Sequence, residues 1–451
     1  MADVQRLLNQ ENRVITEPRP KYPWAPPGEF FKFYPPPSLT FVYCPGSDLF
    51  CRALLIATYC LGKMAESHNW TPWFLGEEYT RGLAAFIAPS IPSLFSMLFN
   101  WKMRNVATPA VWEAGLVRSQ QWPVVVFSHG LSANRSIYST VCSELASHGF
   151  VVAAVEHRDS SACASFVLNE EGVREYILFK TLPPDMKEYD LRSQQIKVRV
   201  EESIRALDAL HRLNEGRATN ELPSSFDLQQ LCGALDLTHP VMSGHSFGGV
   251  TAITTLATDK RFKIGLSLDP WMFPIKDQVA EICGNVTQPL ICISTEAFQS
   301  DANLQAMNSL PPHTTTFVTI KNDTGHVYYE ENEPQIVMGS YMFEPEYEVD
   351  EQVLAEPENQ CDTPFLVGNI GRAFVGVYSL LDPHTAMDIN NRLMLNFMAK
   401  HLDISPQHVR VCQGVAKGAG LPPQAQQRNM VSGLYGKGKG MLGWDKGYHS
   451  V

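Results

Sequence analysis

Gly244-His245-Ser246-Phe247-Gly248 constrains what this 451-residue chain can fold into more than any other stretch, because of what flanks it. A short apolar segment, Pro240-Val241-Met242-Ser243, leads in, and Gly249 to Ala257 follows with helical spacing. A strand, a sharp turn and a helix are thereby predicted, the context in which G-x-S-x-G becomes a nucleophile elbow. Glycine at both ends suits a turn so tight that strand and helix backbones approach closely. The turn would lift the Ser246 hydroxyl clear of a sheet, at the positive end of the following helix. A serine hydroxyl is a weak nucleophile at neutral pH, so the motif demands a base and an orienting acid elsewhere.

In folds built around such an elbow, the acid follows the serine and the histidine follows the acid. Phe262 to Asp269 is an apolar run ending in a carboxylate, and its Ile and Leu content suits a buried parallel strand. Pro289 to Thr295 and Thr315 to Ile320 read as two further strands, the second emptying into the polar turn Lys321-Asn322-Asp323-Thr324-Gly325-His326. Ligands of open α/β sheets gather at the carboxyl ends of strands, where Ser246, Asp269 and His326 would all fall. His326 would take the Ser246 proton, and Asp269 would fix its tautomer and stabilise the imidazolium. Asp269 also precedes Pro270, a turn setting in which aspartate is common, and Asp323 on the histidine loop is a rival acid. His245 lies inside the elbow and would point away from the serine, while His129, His148 and His157 precede the nucleophile.

The chemistry also needs donors for a developing oxyanion. Pro123 to Ser128 reads as a buried strand running into His129-Gly130-Leu131. Hydrolases of this kind take one backbone N–H from such a loop and one from the residue after the nucleophile, here Leu131 and Phe247. Gly130 would in any case let the chain turn.

Several segments together resemble a known family. They are His129-Gly130-Leu131, Leu145 to Asp159 (Leu-Ala-Ser-His-Gly-Phe-Val-Val-Ala-Ala-Val-Glu-His-Arg-Asp), Gly244 to Gly249 and Leu268-Asp269-Pro270-Trp271-Met272-Phe273-Pro274. Over roughly residues 78–404 the chain is similar to the platelet-activating factor acetylhydrolases of the monomeric plasma and intracellular type. The resemblance implies an α/β-hydrolase fold: a mostly parallel central sheet flanked by helices, with an apolar lid or interfacial segment. It implies a calcium-independent serine esterase with no cofactor and no metal. Such an enzyme removes acetyl or short, often oxidised, acyl groups from the sn-2 position of phospholipids. It implies Ser246, Asp269 and His326 as the triad, Leu131 and Phe247 as oxyanion donors, and Trp271 and Phe273 as walls of the acyl pocket. The chain departs from the family's usual pattern at Pro270, at Asp323-Thr324-Gly325 and at Ser132-Ala133-Asn134-Arg135, positions that bear on acyl-length preference. A general carboxylesterase or lipase would use the same triad, and a lipid-binding protein could keep the pocket without turnover.

Composition bounds the alternatives. Forty-seven acidic against 36 basic residues give a net charge of −11, which argues against nucleic acid as a partner and against a general pull to anionic membranes. Contact with a phospholipid surface would have to come from a local feature, and residues 83–104 are the candidate. They are apolar and aromatic, close with Trp101, Lys102 and Arg104, and contain Pro89 and Pro92, which break a spanning helix. An interfacial segment and a helix pair packed on the sheet both fit them. Glu156-His157-Arg158-Asp159 superficially resembles a kinase catalytic loop, but no Gly-rich loop or Asp-Phe-Gly accompanies it, and it reads as a strand-end turn with internal ion pairing.

One catalytic domain is expected over 41–404, after a Pro-rich arm (1–40) and before a Gly-, Gln- and Lys-rich tail (405–451) expected to be disordered. An acidic insertion occupies about 330–372. Apolar residues at Leu191, Ile196, Val200, Ile204, Leu207 and Leu210 predict a long helix covering the sheet, with no chemistry of its own. Ala386 to Leu402 reads as the closing helix, and Leu49 to Leu61 is too short to span a bilayer. Ten cysteines lack C-x-x-C spacing. Without a visible secretory signal, and with sequons at Asn134 and Asn322 beside the expected site, a cytoplasmic, monomeric enzyme in peripheral contact with lipid is expected.

Overall fold

The computed structural model describes residues 38–44, 52–58, 70–103, 106–113, 115–116, 120–220, 222, 224–295, 298–320, 328–330, 333–335, 347–348, 383–402 and 449–450. Strands in chain order are β1 (Ser38–Cys44), β2 (Arg52–Thr58), β3 (Trp70–Pro72), β4 (Val106–Trp112), β5 (Trp122–Ser128) and β6 (Val151–Glu156). Then come β7 (Ala164–Leu168), β8 (Arg174–Leu178), β9 (Leu235–His245), β10 (Ile264–Leu268), β11 (Leu290–Thr295) and β12 (Thr315–Ile320). The principal helices are α1 (Glu77–Ile87), α2 (Pro92–Met103), α3 (Ser139–Ser147), α4 (Glu188–Asn214), α5 (Phe247–Thr258), α6 (Val279–Gly284), α7 (Asp301–Met307) and α8 (Pro383–His401).

The central sheet runs β4-β1-β2-β6-β5-β9-β10-β11-β12. From β6 to β12 every neighbouring pair is parallel, and β2 joins β6 antiparallel. This is the mostly parallel, helix-flanked sheet of the α/β-hydrolase fold. The Leu49–Leu61 run supplies β2, so its apolar character belongs to a sheet strand. The order reverses at β5: the next strand, β6, lies on one side of it, and β9 lies on the other. A crevice opens at such a switch point, outside the carboxyl ends of the two strands. Those ends are Ser128 and His245, and the motifs singled out above begin there.

Both faces of the sheet are covered, which explains why its strands read as unbroken apolar runs rather than alternating ones. All seven residues of β5 are buried. Val124 and Val126 face a core completed by Leu207 and Leu210 of α4 and by Val250 and Ile253 of α5. Val125 and Phe127 face the opposite core, with Val141 and Leu145 of α3 and Met394 and Phe397 of α8.

The prolines divide residues 83–104 as the sequence suggests: α1 ends at Ile87, α2 starts at Pro92, and the two helices pack on each other. No helix among the described residues is long and apolar enough to cross a membrane. β1 begins at Ser38, inside the stretch assigned to the N-terminal arm. Within the stretch 405–451, His449–Ser450 pair with Val318 and Thr319 on the edge strand β12, whose open parallel edge offers amides and carbonyls. Apart from residues 328–330, 333–335 and 347–348, the acidic stretch 330–372 lies outside the described residues.

Candidate active site

β9 delivers its last residue, His245, into a reversal at Ser246, whose φ of 58° and ψ of −115° lie in a region that L-residues seldom occupy. Helix α5 begins at the next residue. Two glycines make the reversal possible. A Cβ at Gly248 would overlap the carbonyl oxygen of Ser128 on β5, and one at Gly244 would overlap the backbone of Gly248. The strained turn is held from the neighbouring strand: Ser246 N donates to Leu268 O at 2.8 Å, and Trp271 N donates to Ser246 O at 3.1 Å. Ser246 stays 7% exposed in an otherwise closed core, which lets its hydroxyl meet a reactant.

Asp269 follows β10 directly, with a φ of 43°. Its amide donates to Ile293 O at 2.8 Å, while Oδ1 accepts Thr295 N–H at 2.6 Å and Oδ2 accepts Thr295 Oγ1–H at 3.0 Å. Complete burial pushes its carboxyl up to about 6, against the pull of His245 and the two Thr295 bonds. At neutral pH it is chiefly an anion, a state suited to orienting an imidazolium. His326 and the rival acid Asp323 lie outside the described residues. His245 turns its Nδ1 to Tyr138 Oη at 2.7 Å and its Nε2 toward Asp269 Oδ2 at 3.9 Å.

The loop after β5 runs against the elbow, so close that a Cβ on Gly130 would lie 3.4 Å from the Ser246 Cβ. Gly130 N–H donates to Tyr138 Oη at 3.2 Å, and Ser132 N–H donates to Ser161 O at 2.7 Å. Between them, the Leu131 N–H has no hydrogen-bond partner among the described residues, and neither has the Phe247 N–H at the start of α5. Two open amides therefore flank Ser246, which is what an oxyanion requires. Asn134, the first residue of one sequon, is fully buried, and its Oδ1 caps the amides of Ser136 and Ile137. A glycan there is incompatible with this fold.

Aromatic rings line the side of the elbow towards α4. Trp271 meets Phe247 edge-on at 5.5 Å between centroids and stacks on Phe273 at 5.6 Å. Phe273 in turn meets Tyr189 of α4 at 6.0 Å.

The sequence reading missed what lies beneath the Gly130 loop. The segment Glu156–Asp159 is not paired internally; each of its charges finds a partner elsewhere, because all four leave β6 into a buried space. Glu156 meets Arg135 at 2.5 Å and also accepts from Tyr79 Oη at 2.9 Å. His157 Nδ1 donates to Glu202 at 2.8 Å, Arg158 Nε donates to Glu202 at 3.3 Å, and Asp159 pairs with Arg199 at 3.2 Å. Helix α4, expected to carry no chemistry, thus inserts two charged residues under the site. The signal was present in the sequence: Arg192, Gln195, Arg199 and Glu202 recur at helical spacing in phase with the apolar stripe, which solvent-facing residues would not do.

Comparison with known proteins is consistent along most of the chain. The family model described as Platelet-activating factor acetylhydrolase, isoform II, matches residues 49–418. Platelet-activating factor acetylhydrolase of Bos taurus is 34% identical over 316 residues, covering 68% of this chain and 70% of that protein. The protein of that name from Cavia porcellus is 34% identical over 340 residues, covering 74% and 69%. The one from Gallus gallus is 34% identical over 349 residues, covering 74% of each.

Proposed function

Because the chain belongs to the platelet-activating factor acetylhydrolase family, we propose that it hydrolyses the sn-2 ester of platelet-activating factor and of phospholipids with short or oxidised acyl chains. The observation that carries this reading is the strained Ser246 elbow between two open amides at the switch point of the sheet. Ser246 Oγ attacks the sn-2 carbonyl carbon and passes its proton to His326. The carbonyl oxygen becomes an anion held by the Leu131 and Phe247 N–H groups, each donor worth about 2.7–4 kcal/mol. Collapse expels the glycerol sn-2 oxygen, which takes the proton from His326, and leaves the acyl group on Ser246. Water, deprotonated by the same histidine, then releases acetate or a short acid and restores the serine. Asp269 stays ionised and orients His326 throughout. Trp271 and Phe273 bound the acyl group, and no metal ion enters any step.

The substrate sits in a lipid surface, and α2 suits the contact. Ile91, Leu94, Met97, Leu98 and Trp101 are between 49% and 66% exposed and recur at helical spacing. α2 packs on α1, and α1 is tied to the carboxyl end of β6 by the hydrogen bond from Tyr79 to Glu156, which supports this reading. A cytoplasmic setting is part of the proposal, supported by the buried thiols of Cys142, Cys163, Cys283 and Cys292 and by the buried Asn134 sequon.

The test is calcium-free hydrolysis, by wild type and Ser246→Ala, of two phosphatidylcholines differing only in an acetyl or a long acyl group at sn-2. Acetate release by wild type alone, with little long-chain cleavage, is expected. Equal or better cleavage of the long chain would retain the esterase and discard the acetylhydrolase.

A further inference from the structure

The oxyanion hole of the proposed reaction is assembled from two pieces of chain, the Gly130 loop after β5 and the first turn of α5. One buried side chain touches both. The Arg199 guanidinium, fully buried on α4, donates from Nη1 to His129 O at 2.6 Å and from Nη2 to Gly130 O at 3.4 Å. Its Cζ lies over the Phe247 ring, 4.2 Å from the ring centre. Nε donates to Asp159 at 3.2 Å and to Ser161 Oγ at 2.9 Å, and Nη2 reaches the same Oγ at 2.7 Å, so the planar group is fixed on every edge.

These contacts act on the two residues whose amides matter. Holding the carbonyls of His129 and Gly130 fixes the peptide planes immediately before Leu131, and with them the direction of the Leu131 N–H. Stacking on the Phe247 ring fixes the side chain of the residue that supplies the second N–H. The loop has other anchors, Gly130 N–H on Tyr138 Oη, Ser132 N–H on Ser161 O at 2.7 Å and His157 N–H on His129 Nε2 at 3.1 Å, but among the described residues the His129 carbonyl is met by Arg199 alone.

We propose that Arg199 is a positioning residue that sets the two oxyanion donors in register, rather than a residue that merely stabilises the core. The inference rests on the Ser246 reading above. A guanidinium is the group that can do this, since its planar fork spans two carbonyls while its face stacks on a ring, and an ammonium offers a single point. The transition state, unlike the bound ester, carries full charge on the oxygen, so misaligned donors lower kcat and leave KM largely alone.

The experiment measures kcat and KM for p-nitrophenyl acetate, a soluble ester that needs no lipid surface, in Arg199→Lys and in the double variant Arg199→Met with Asp159→Asn. The double variant leaves no unpaired buried charge, so it guards against a variant that fails to fold. Rates are normalised to sites labelled to completion by a fluorophosphonate, and Leu207→Ala, a core truncation about two turns further along the same helix, is the stability control. Both Arg199 variants should lose about 10²-fold in kcat per labelled site, the loss expected when one oxyanion donor is removed, with KM within about twofold. Leu207→Ala should lower Tm and keep its kcat. Arg199 variants with kcat within threefold of wild type, or Leu207→Ala falling as far as they do, would overturn the assignment. Turnover surviving in Ser246→Ala would instead overturn the proposed function, so the two failures are distinct.

Discussion

Asp269→Asn should make the protein more stable and nearly inactive at once. The wild-type carboxyl is wholly buried and pushed from 3.8 to about 6. A rise of about two units corresponds to about 3 kcal/mol of native-state stability lost at pH 7, where the site holds an anion. Asparagine removes that charge and keeps the hydrogen-bond geometry. Its Oδ1 can still accept Thr295 N–H, and its Nδ2 can donate to Thr295 Oγ1, whose own hydrogen turns away. The pH dependence carries the sign. Because the folded-state value lies above the unfolded one, the native wild type binds the extra proton between about pH 6 and 4 and gains stability as pH falls through that window. The advantage of the variant is therefore full at pH 7 and gone near pH 4. Urea unfolding of both proteins at pH 7, 6 and 5 reads the gap, and p-nitrophenyl acetate hydrolysis reads the loss of activity, expected near 10⁴-fold from the wrong histidine tautomer. A variant less stable than wild type at pH 7, or a gap that does not narrow towards pH 5, would refute the buried-anion argument. Near-normal turnover, with Asp323→Asn dead, would transfer the acid's role to Asp323.

Other expectations follow from the same geometry. Wild-type turnover should fall as pH drops through about 6, where Asp269 takes a proton, and a flat pH-rate profile down to pH 5 would contradict it. Gly248→Ala should cost about 3 kcal/mol or more, because the new methyl meets the Ser128 carbonyl, and fluorophosphonate labelling of Ser246 should be lost with it. Trp271→Ala should open the acyl side of the site, so that the preference for acetyl over hexanoyl esters falls about tenfold, measured as a ratio of kcat/KM values. Leu98→Ser with Trp101→Ser should leave stability within about 0.5 kcal/mol, since both side chains already face water. Sedimentation with zwitterionic vesicles should drop at least about tenfold for that pair, with hydrolysis of the soluble ester unchanged.

Much of this architecture was legible because it is local. The elbow is five consecutive residues with a strand on one side and a helix on the other, and the parallel strands are short apolar runs whose chain order dictates where their ends lie. The position of Asp269 at the end of β10 and of the Gly130 loop at the end of β5 follows from that local pattern. Pairing across the fold was not legible. Nothing near Glu156 in sequence announces Arg135, and nothing near Asp159 announces Arg199, 40 residues on. In sequence His245 is only a residue of the elbow, yet its ring lies between Tyr138 and Asp269.

Helix α4 shows most clearly where periodicity stops informing. Its apolar stripe was read as a cover for the sheet, and the stripe does pack there through Leu207 and Leu210. Towards its N-terminal half the same face carries Arg192, Gln195, Arg199 and Glu202, all buried. A helix that only needed to cover a sheet would fill those positions with apolar residues, because burying a charge costs more than burying a methyl group unless every polar atom is met. Arg192 is met within the helix by Glu188 and Gln195, and Gln195, Arg199 and Glu202 by groups of the turn after β6 and the loop after β5. Replacing such a network with well-packed hydrophobes is often neutral or stabilising, so stability alone gives no reason to retain it. What the network fixes, and a methyl group could not, is the direction of backbone carbonyls in the loop that faces Ser246. Polar residues in phase with an apolar stripe mark the part of a helix that orients other groups, and on α4 that part ends where the site does.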